Sequence, residues 1–107
     1  MAETRLQQLL RFYKEDPNDP FSLYGLALEY LKSDVKESER FFDMLLNNFP
    51  DYLPTYYHAA KLKSSLGKND DAINIYKSGI YLAKKLNDQK AKLELQSAYN
   101  ELMFEME

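Results

Sequence analysis

The sequence of 107 residues contains no cysteine and no tryptophan, and it has one histidine, three glycines and four prolines. Without cysteine the chain forms neither a disulfide framework nor a thiolate metal site. The single histidine, His58, would leave a metal dependent on carboxylates, and no acidic spacing indicates such a site. The scattered glycines make no phosphate-binding loop. We therefore predict no catalytic residues, no cofactor, no metal and no enzymatic activity.

Long hydrophobic runs are also absent. No window approaches the roughly 18 uninterrupted apolar residues of a membrane-spanning helix. The N-terminal segment lacks the apolar stretch and the cleavage site of a secretory signal. A cytoplasmic location without membrane association is expected. The formal net charge of −3 argues against a general nucleic-acid role.

What the sequence does contain is typical of a folded protein, with 45% hydrophobic and 14% aromatic residues. Its charges are unevenly placed. Eight lysines face three aspartates between Lys61 and Lys92, whereas residues 93–107 carry four glutamates and no base. We interpret the two stretches as solvated surfaces of opposite sign.

The segment from Pro54 to Lys84 has the pattern of a helical hairpin. Apolar or small side chains recur at steps of three, four and seven residues in two runs, and Gly67 separates them. A tight turn needs a residue that adopts positive φ, which glycine does readily. The first run is Tyr56, Ala59, Ala60 and Leu66, and the second is Ala72, Ile73, Tyr76, Gly79 and Ile80.

Similar patterns predict helices over about 4–15, 20–32, 35–48 and 89–105. The pair Asp19 and Pro20 suits the start of the second helix. A shift of 33 residues superposes this second helix on the one that begins after Pro54, and after the turn the shift becomes 34. Such a period is typical of helical repeat proteins.

The repeated residues resemble the tetratricopeptide repeat, a helix–turn–helix motif of about 34 residues. In the first copy the motif residues are Leu23, Leu26, Ala27, Tyr30, Ser38, Phe42, Leu45 and Pro50. In the second copy they are Tyr56, Ala59, Ala60, Lys63, Ala72, Tyr76, Gly79 and Lys84. Leu45, Lys63 and Lys84 depart from the pattern. We expect Lys63 to lie along the surface with its charge in water.

The resemblance implies an all-α fold, a right-handed α-solenoid of antiparallel helical hairpins with about six helices. It also implies one domain over residues 1–107. Within it we expect an N-terminal half-repeat helix (4–16), repeat 1 (17–50), repeat 2 (51–86) and a C-terminal capping helix (88–105).

Proteins of this family commonly bind an extended peptide or a partner helix in a concave groove lined by the first helix of each repeat. The matching residues here are Phe21, Tyr24, Gly25, Leu28, Leu31, Lys32, Pro54, Tyr57, His58, Lys61, Ser64 and Ser65. From these we select a protein- or peptide-binding groove of Tyr24, Leu28, Tyr57, His58 and Lys61.

The resemblance thus implies a scaffold module whose partner is another protein or peptide. The Lys61 charge suggests a ligand with an acidic residue beside an apolar anchor. The residues that clamp chaperone tails in this family are not matched here. The alternative is a structural protein that forms homo-oligomers through Met103, Phe104 and Met106.

Overall fold

The computed structural model describes residues 2–107, and these contain six α-helices and no strand. The all-α prediction is confirmed, and the predicted helix ends agree with the observed ones to within about two residues. The helices are α1 (Arg5–Glu15), α2 (Pro20–Tyr30), α3 (Val35–Asn48), α4 (Thr55–Ser65), α5 (Asn69–Lys85) and α6 (Gln89–Glu105).

Side chains cap most of the helix starts, because the first backbone N–H groups of a helix lack intrahelical acceptors. At α1, Thr4 and Gln7 form a reciprocal capping box. At α2, the Asp19 carboxylate accepts from the Phe21 N–H, and Pro20 takes the first helical position. Asp34 and Asp88 cap α3 and α6 in the same way.

The ends of α4 and α5 share one geometry. Gly67 follows α4 with φ +79°, and Asn87 follows α5 with φ 57°. After each, a backbone N–H reaches back to a carbonyl five residues earlier, from Lys68 to Lys63 and from Asp88 to Ala83. This pattern is the Schellman motif, which satisfies the last carbonyls of a helix. The turn predicted at Gly67 is confirmed.

The chain separates into two compact units, one of residues up to Tyr52 and one over Leu53–Glu107. In the first unit α2 packs against both α1 and α3. Its core consists of large side chains that are at most 1% exposed, except for one small residue: Leu9, Leu23, Leu26, Ala27, Phe41, Phe42 and Leu45. Ser38 donates a buried hydrogen bond of 2.6 Å to the Ala27 carbonyl, which joins α3 to α2.

In the second unit α5 packs against α4 and α6, and α6 also contacts α4. Many of its buried positions are small: Ala59, Ala60, Ala72, Gly79 and Ala83. A methyl group added at Gly79 would lie 2.7 Å from the Tyr56 Cβ and 3.2 Å from a Leu95 methyl. The absence of a side chain therefore lets α5 approach both of its neighbours closely.

Two residues are placed differently from the sequence-based expectation. Lys63 is only 8% exposed, so most of this side chain is covered rather than lying along the surface. Gly25, expected to face the groove, lies against α1, since a methyl group there would be 2.7 Å from a Leu9 methyl. The packing of α1 on α2, which the motif alone does not specify, is the reason for the second difference.

The boundary between the units falls two residues after the predicted boundary between repeats 1 and 2. The assignment of 1–107 to a single domain, with its half-repeat, two repeats and capping helix, stays a prediction. The helices themselves are present in every predicted segment.

Candidate binding groove

The five predicted groove residues lie on two helices. Tyr24 and Leu28 are partly buried on α2 of the first unit. Tyr57, His58 and Lys61 lie on α4 of the second unit, where Tyr57 and His58 are partly buried and Lys61 is exposed. The structure brings the last three together as one cluster.

In the first unit the ring of Tyr24 packs edge-on against the ring of Tyr52, with centroids 5.9 Å apart and an interplanar angle of 64°. Burial and the neighbouring Tyr52 raise the pKa of Tyr24 above its ordinary value. Burial followed by the Asp19 charge raises the pKa of Tyr52 as well. The two phenols therefore remain neutral hydrogen-bonding groups at physiological pH.

In the second unit Tyr57 lies between His58 and Lys61. Its ring meets the imidazole edge-on, with centroids 5.4 Å apart and an angle of 85°. The Lys61 ammonium lies 5.6 Å from the centre of the same ring, within the range of a cation–π interaction. Tyr57 thus holds a partly exposed aromatic surface next to a fixed positive charge.

A cavity of about 560 Å³ opens between α4 and α6, and we call it the α4–α6 groove. Tyr57 and His58 form its α4 wall. The α6 wall is formed by residues at helical spacing on one face: Leu93, Glu94, Ser97, Ala98 and Glu101. The groove therefore has an aromatic wall and an opposing wall that is partly acidic.

The groove continues into a smaller cavity of about 200 Å³, since Ala98 and Glu101 line both. The other residues that line this cavity are Lys61, Ser64, Ser65, Tyr76, Leu102 and Glu105. Burial, followed by the nearby Tyr57, Glu101 and Glu105, raises the pKa of Tyr76 to about 12. Its phenol is therefore neutral at physiological pH.

The imidazole of His58 is electrically neutral near pH 7. Burial, and then the positive charge of Lys61, lower the pKa of His58 below its ordinary value of 6.5. Lys61 is consequently the fixed positive charge contributed by the residues that line the two cavities.

Sequence reasoning missed the α6 wall, because it assigned α6 to capping alone. A signal was present in the uneven charge, since three of the four glutamates in residues 93–107 line the cavities: Glu94, Glu101 and Glu105. Their spacing of seven and four residues places them on one helical face.

Within residues 2–107, no group of three or more His, Asp or Glu side chains is arranged to hold a metal ion. In the same residues, none of the helices has the length and apolar content needed to cross a bilayer.

The chain is similar to a tetratricopeptide repeat domain protein from Salinibacter ruber. A crystal structure of that protein shares 42% identity with this chain over 79% of this chain and 96% of the other, with a TM-score of 0.75. A solution NMR structure from the same organism shares 43% identity over 81% and 89%, with a TM-score of 0.76. No protein-family model and no curated protein matches the chain.

The chain belongs to the tetratricopeptide repeat family. The predicted family and the tetratricopeptide-like helical fold are thereby confirmed. The groove described above is thus a surface of a tetratricopeptide repeat protein, a fold that generally serves protein–protein interaction.

Proposed function

We propose that this tetratricopeptide repeat protein binds a segment of another protein, an extended peptide or a helix, and that the α4–α6 groove contributes the main contacts. The observation that carries the proposal is the juxtaposition of Tyr57 and His58 with the α6 wall around a cavity of about 560 Å³, which continues into the smaller cavity lined by Lys61.

Several groove side chains keep accessible surface that is not buried in the core. Tyr57 is only partly buried, in contrast to its neighbour Tyr56, which is 6% exposed. Across the groove Leu93 is 66% exposed, although it is a large apolar side chain. An aromatic ring and an exposed leucine on facing walls suit the apolar anchor of a bound segment, because aromatic residues tend to dominate binding energy.

The α2 residues Tyr24 and Leu28 belong to the same proposal as a second contact surface. Both are partly buried, and the Tyr24 ring is held by Tyr52 at 5.9 Å. Tyr24→Ala, titrated in the same way as Tyr57→Ala, tests whether a ligand contacts this surface.

The first experiment finds partners by pulldown with the full chain and titrates each against variants. Tyr57→Ala should weaken binding by about 1–2 kcal/mol or more, since the ring anchors the segment. Lys61→Ala should mainly change the association rate and its salt dependence, in a direction set by the ligand's charge, because Lys61 lies at the exposed rim. Lys77→Ala, an exposed lysine of α5, is the matched control. An effect of Lys77→Ala alone would show that the ligand uses another face.

Self-association is the second candidate, and one observation favours it. At the C-terminal end of α6 three apolar side chains within four residues are exposed: Met103 at 39%, Phe104 at 75% and Met106 at 44%. Clustered exposed apolar residues often mark contact surfaces. Sedimentation over a range of concentrations tests this candidate, and a monomer at every concentration would exclude it. If the chain does associate, Phe104→Ser should shift it toward the monomer.

A further inference from the structure

The α6 wall gives the groove an excess of negative charge. Glu94 and Glu101 line the larger cavity, and Glu101 and Glu105 line the smaller one. All three carboxylates are exposed. Within the described part of the chain none of them forms a salt bridge. They are therefore available to a cation from outside the molecule.

The α4 residues that line the two cavities do not neutralise this charge. Lys61, which lines the smaller cavity, is the cation among them, and its ammonium lies 5.6 Å from the centre of the Tyr57 ring. His58 contributes no charge near pH 7, because burial and Lys61 lower its pKa. The two cavities together are thus lined by three carboxylates and one ammonium, so the field in the groove favours cations.

We propose that the occupant of the α4–α6 groove is a peptide segment in which a lysine or arginine stands beside an apolar residue. This inference rests on the proposed function and specifies the chemistry of the ligand. The basic head would pair with Glu94 and Glu101, and the apolar neighbour would lie between Tyr57 and Leu93. The sequence-based expectation of an acidic ligand rests on Lys61 alone and does not include the carboxylates of α6 that line the two cavities.

The charge and the side-chain arrangement of the groove favour a basic peptide over other classes of ligand. A nucleic acid would bring phosphates toward the three glutamates, which repel them. A bare divalent cation lacks a set of three suitably placed ligands in residues 2–107. A second copy of this chain could present its own lysines, and a test at several protein concentrations separates that case from binding of a foreign peptide.

The test selects displayed random peptides on the immobilised full chain and measures the affinity of the enriched sequences. Enrichment of Lys or Arg next to an apolar residue is expected. The double variant Glu94→Gln, Glu101→Gln should weaken these peptides about three- to tenfold, as the loss of one or two partly exposed ion pairs does. The loss should shrink as the salt concentration rises.

The double variant Asp70→Asn, Asp71→Asn is the matched control, because it removes the same charge from the exposed first turn of α5 without touching the groove. An equal loss in this control would show nonspecific attraction and overturn the inference. Circular dichroism of each variant confirms that it is folded.

The outcomes also separate this inference from the proposed function. If enriched peptides are acidic or uncharged but still lose affinity on Tyr57→Ala, the groove binds peptides and the inferred ligand charge is wrong. If Tyr57→Ala has no effect on any enriched peptide, or if no peptide is enriched, the groove proposal and the inference fail together. If the binding signal rises only at protein concentrations at which the chain self-associates, the occupant of the groove is a second copy of the chain and not a foreign peptide.

Discussion

The two units form the same kind of helical hairpin with different side chains. At matching positions of the two proposed repeats, Leu23 and Leu45 of the first unit correspond to Tyr56 and Gly79 of the second. All four are buried. In the second unit a tyrosine replaces the first leucine and a glycine replaces the second, and Tyr56 packs directly on Gly79. The comparison teaches that the same kind of hairpin accepts different combinations of large and small side chains at corresponding buried positions.

The largest effect is expected from a cavity in the large-residue core of the first unit. Phe42 is fully buried, so Phe42→Ala should destabilise the protein by about 3–5 kcal/mol, because both burial and packing are lost. Denaturant unfolding measures the change. Phe104→Ala removes the same ring from a position 75% exposed and should have almost no effect. Similar losses from the two would contradict the core assignment.

The next test uses the hydroxyl that distinguishes Tyr76 of the second unit from its counterpart Phe42. The ordinary pKa of 10.0 rises to about 12 in the folded protein. The unfolded chain therefore ionises first, so the stabilisation is complete below pH 10 and is lost as the pH rises toward 12. The loss should reach about 2 kcal/mol.

Tyr76→Phe should remove this alkaline loss while leaving stability near pH 7 almost unchanged. Unfolding free energies of both proteins across the alkaline range supply the comparison. Contributions from the rest of the chain are common to both proteins and cancel in the difference. Parallel curves would show that Tyr76 does not experience the burial and the carboxylates described above.

A pair of glycines sharpens the contrast in packing. Gly79→Ala should cost about 1–2 kcal/mol, because the new methyl group would press on the Tyr56 Cβ, which is fixed to the backbone of α4. At Gly25 the new methyl group would meet only the end of the Leu9 side chain. That end can move, and alanine favours the helix, so Gly25→Ala should be nearly neutral. Thermal unfolding of both variants measures these costs. A larger loss of stability from Gly25→Ala than from Gly79→Ala would contradict the prediction.

The smallest expected effect concerns the turns. Gly67→Ala should cost about 1 kcal/mol, since φ +79° strains any residue with a Cβ, although the added methyl group would have no atom within 4 Å. Gly67→Asn should cost less, because asparagine tolerates this region and Asn87 already occupies it after α5. Equal costs for the two variants would indicate that loss of glycine itself, and not φ, matters.

The helices were predictable because their signals are local. Asp19 with Pro20 starts α2, and Gly67 ends the α4 turn, as the sequence pattern indicated. The repeat period of 33–34 residues in turn indicated the family. The packing of single residues was less predictable. The motif assigned Gly25 to the groove, and Lys63, at a core position of the motif, was expected at the surface because of its charge. Both placements depend on which neighbouring helix covers them, and that is a nonlocal property.

The candidate site was predictable on one wall only. Tyr57, His58 and Lys61 were found from the motif, because their spacing puts them on one face of α4. Glu94 and Glu101 were not, since α6 has no clear motif match and its acids were interpreted as a solvated surface. Their place in a groove depends on α4, which forms the opposite wall.

The sequence by itself determined the six helices, the start of α2 at Asp19 and Pro20, the turn at Gly67 and the repeat family, because these follow from side-chain spacing and backbone preference along the chain. Only the tertiary structure decided that α6 lies beside α4 and turns Glu94 and Glu101 toward Tyr57. The physical reason is that a helix with exposed polar residues on several sides can pack in more than one rotation. The choice among these rotations rests on burying Leu95 and Leu102, which are 2% and 5% exposed.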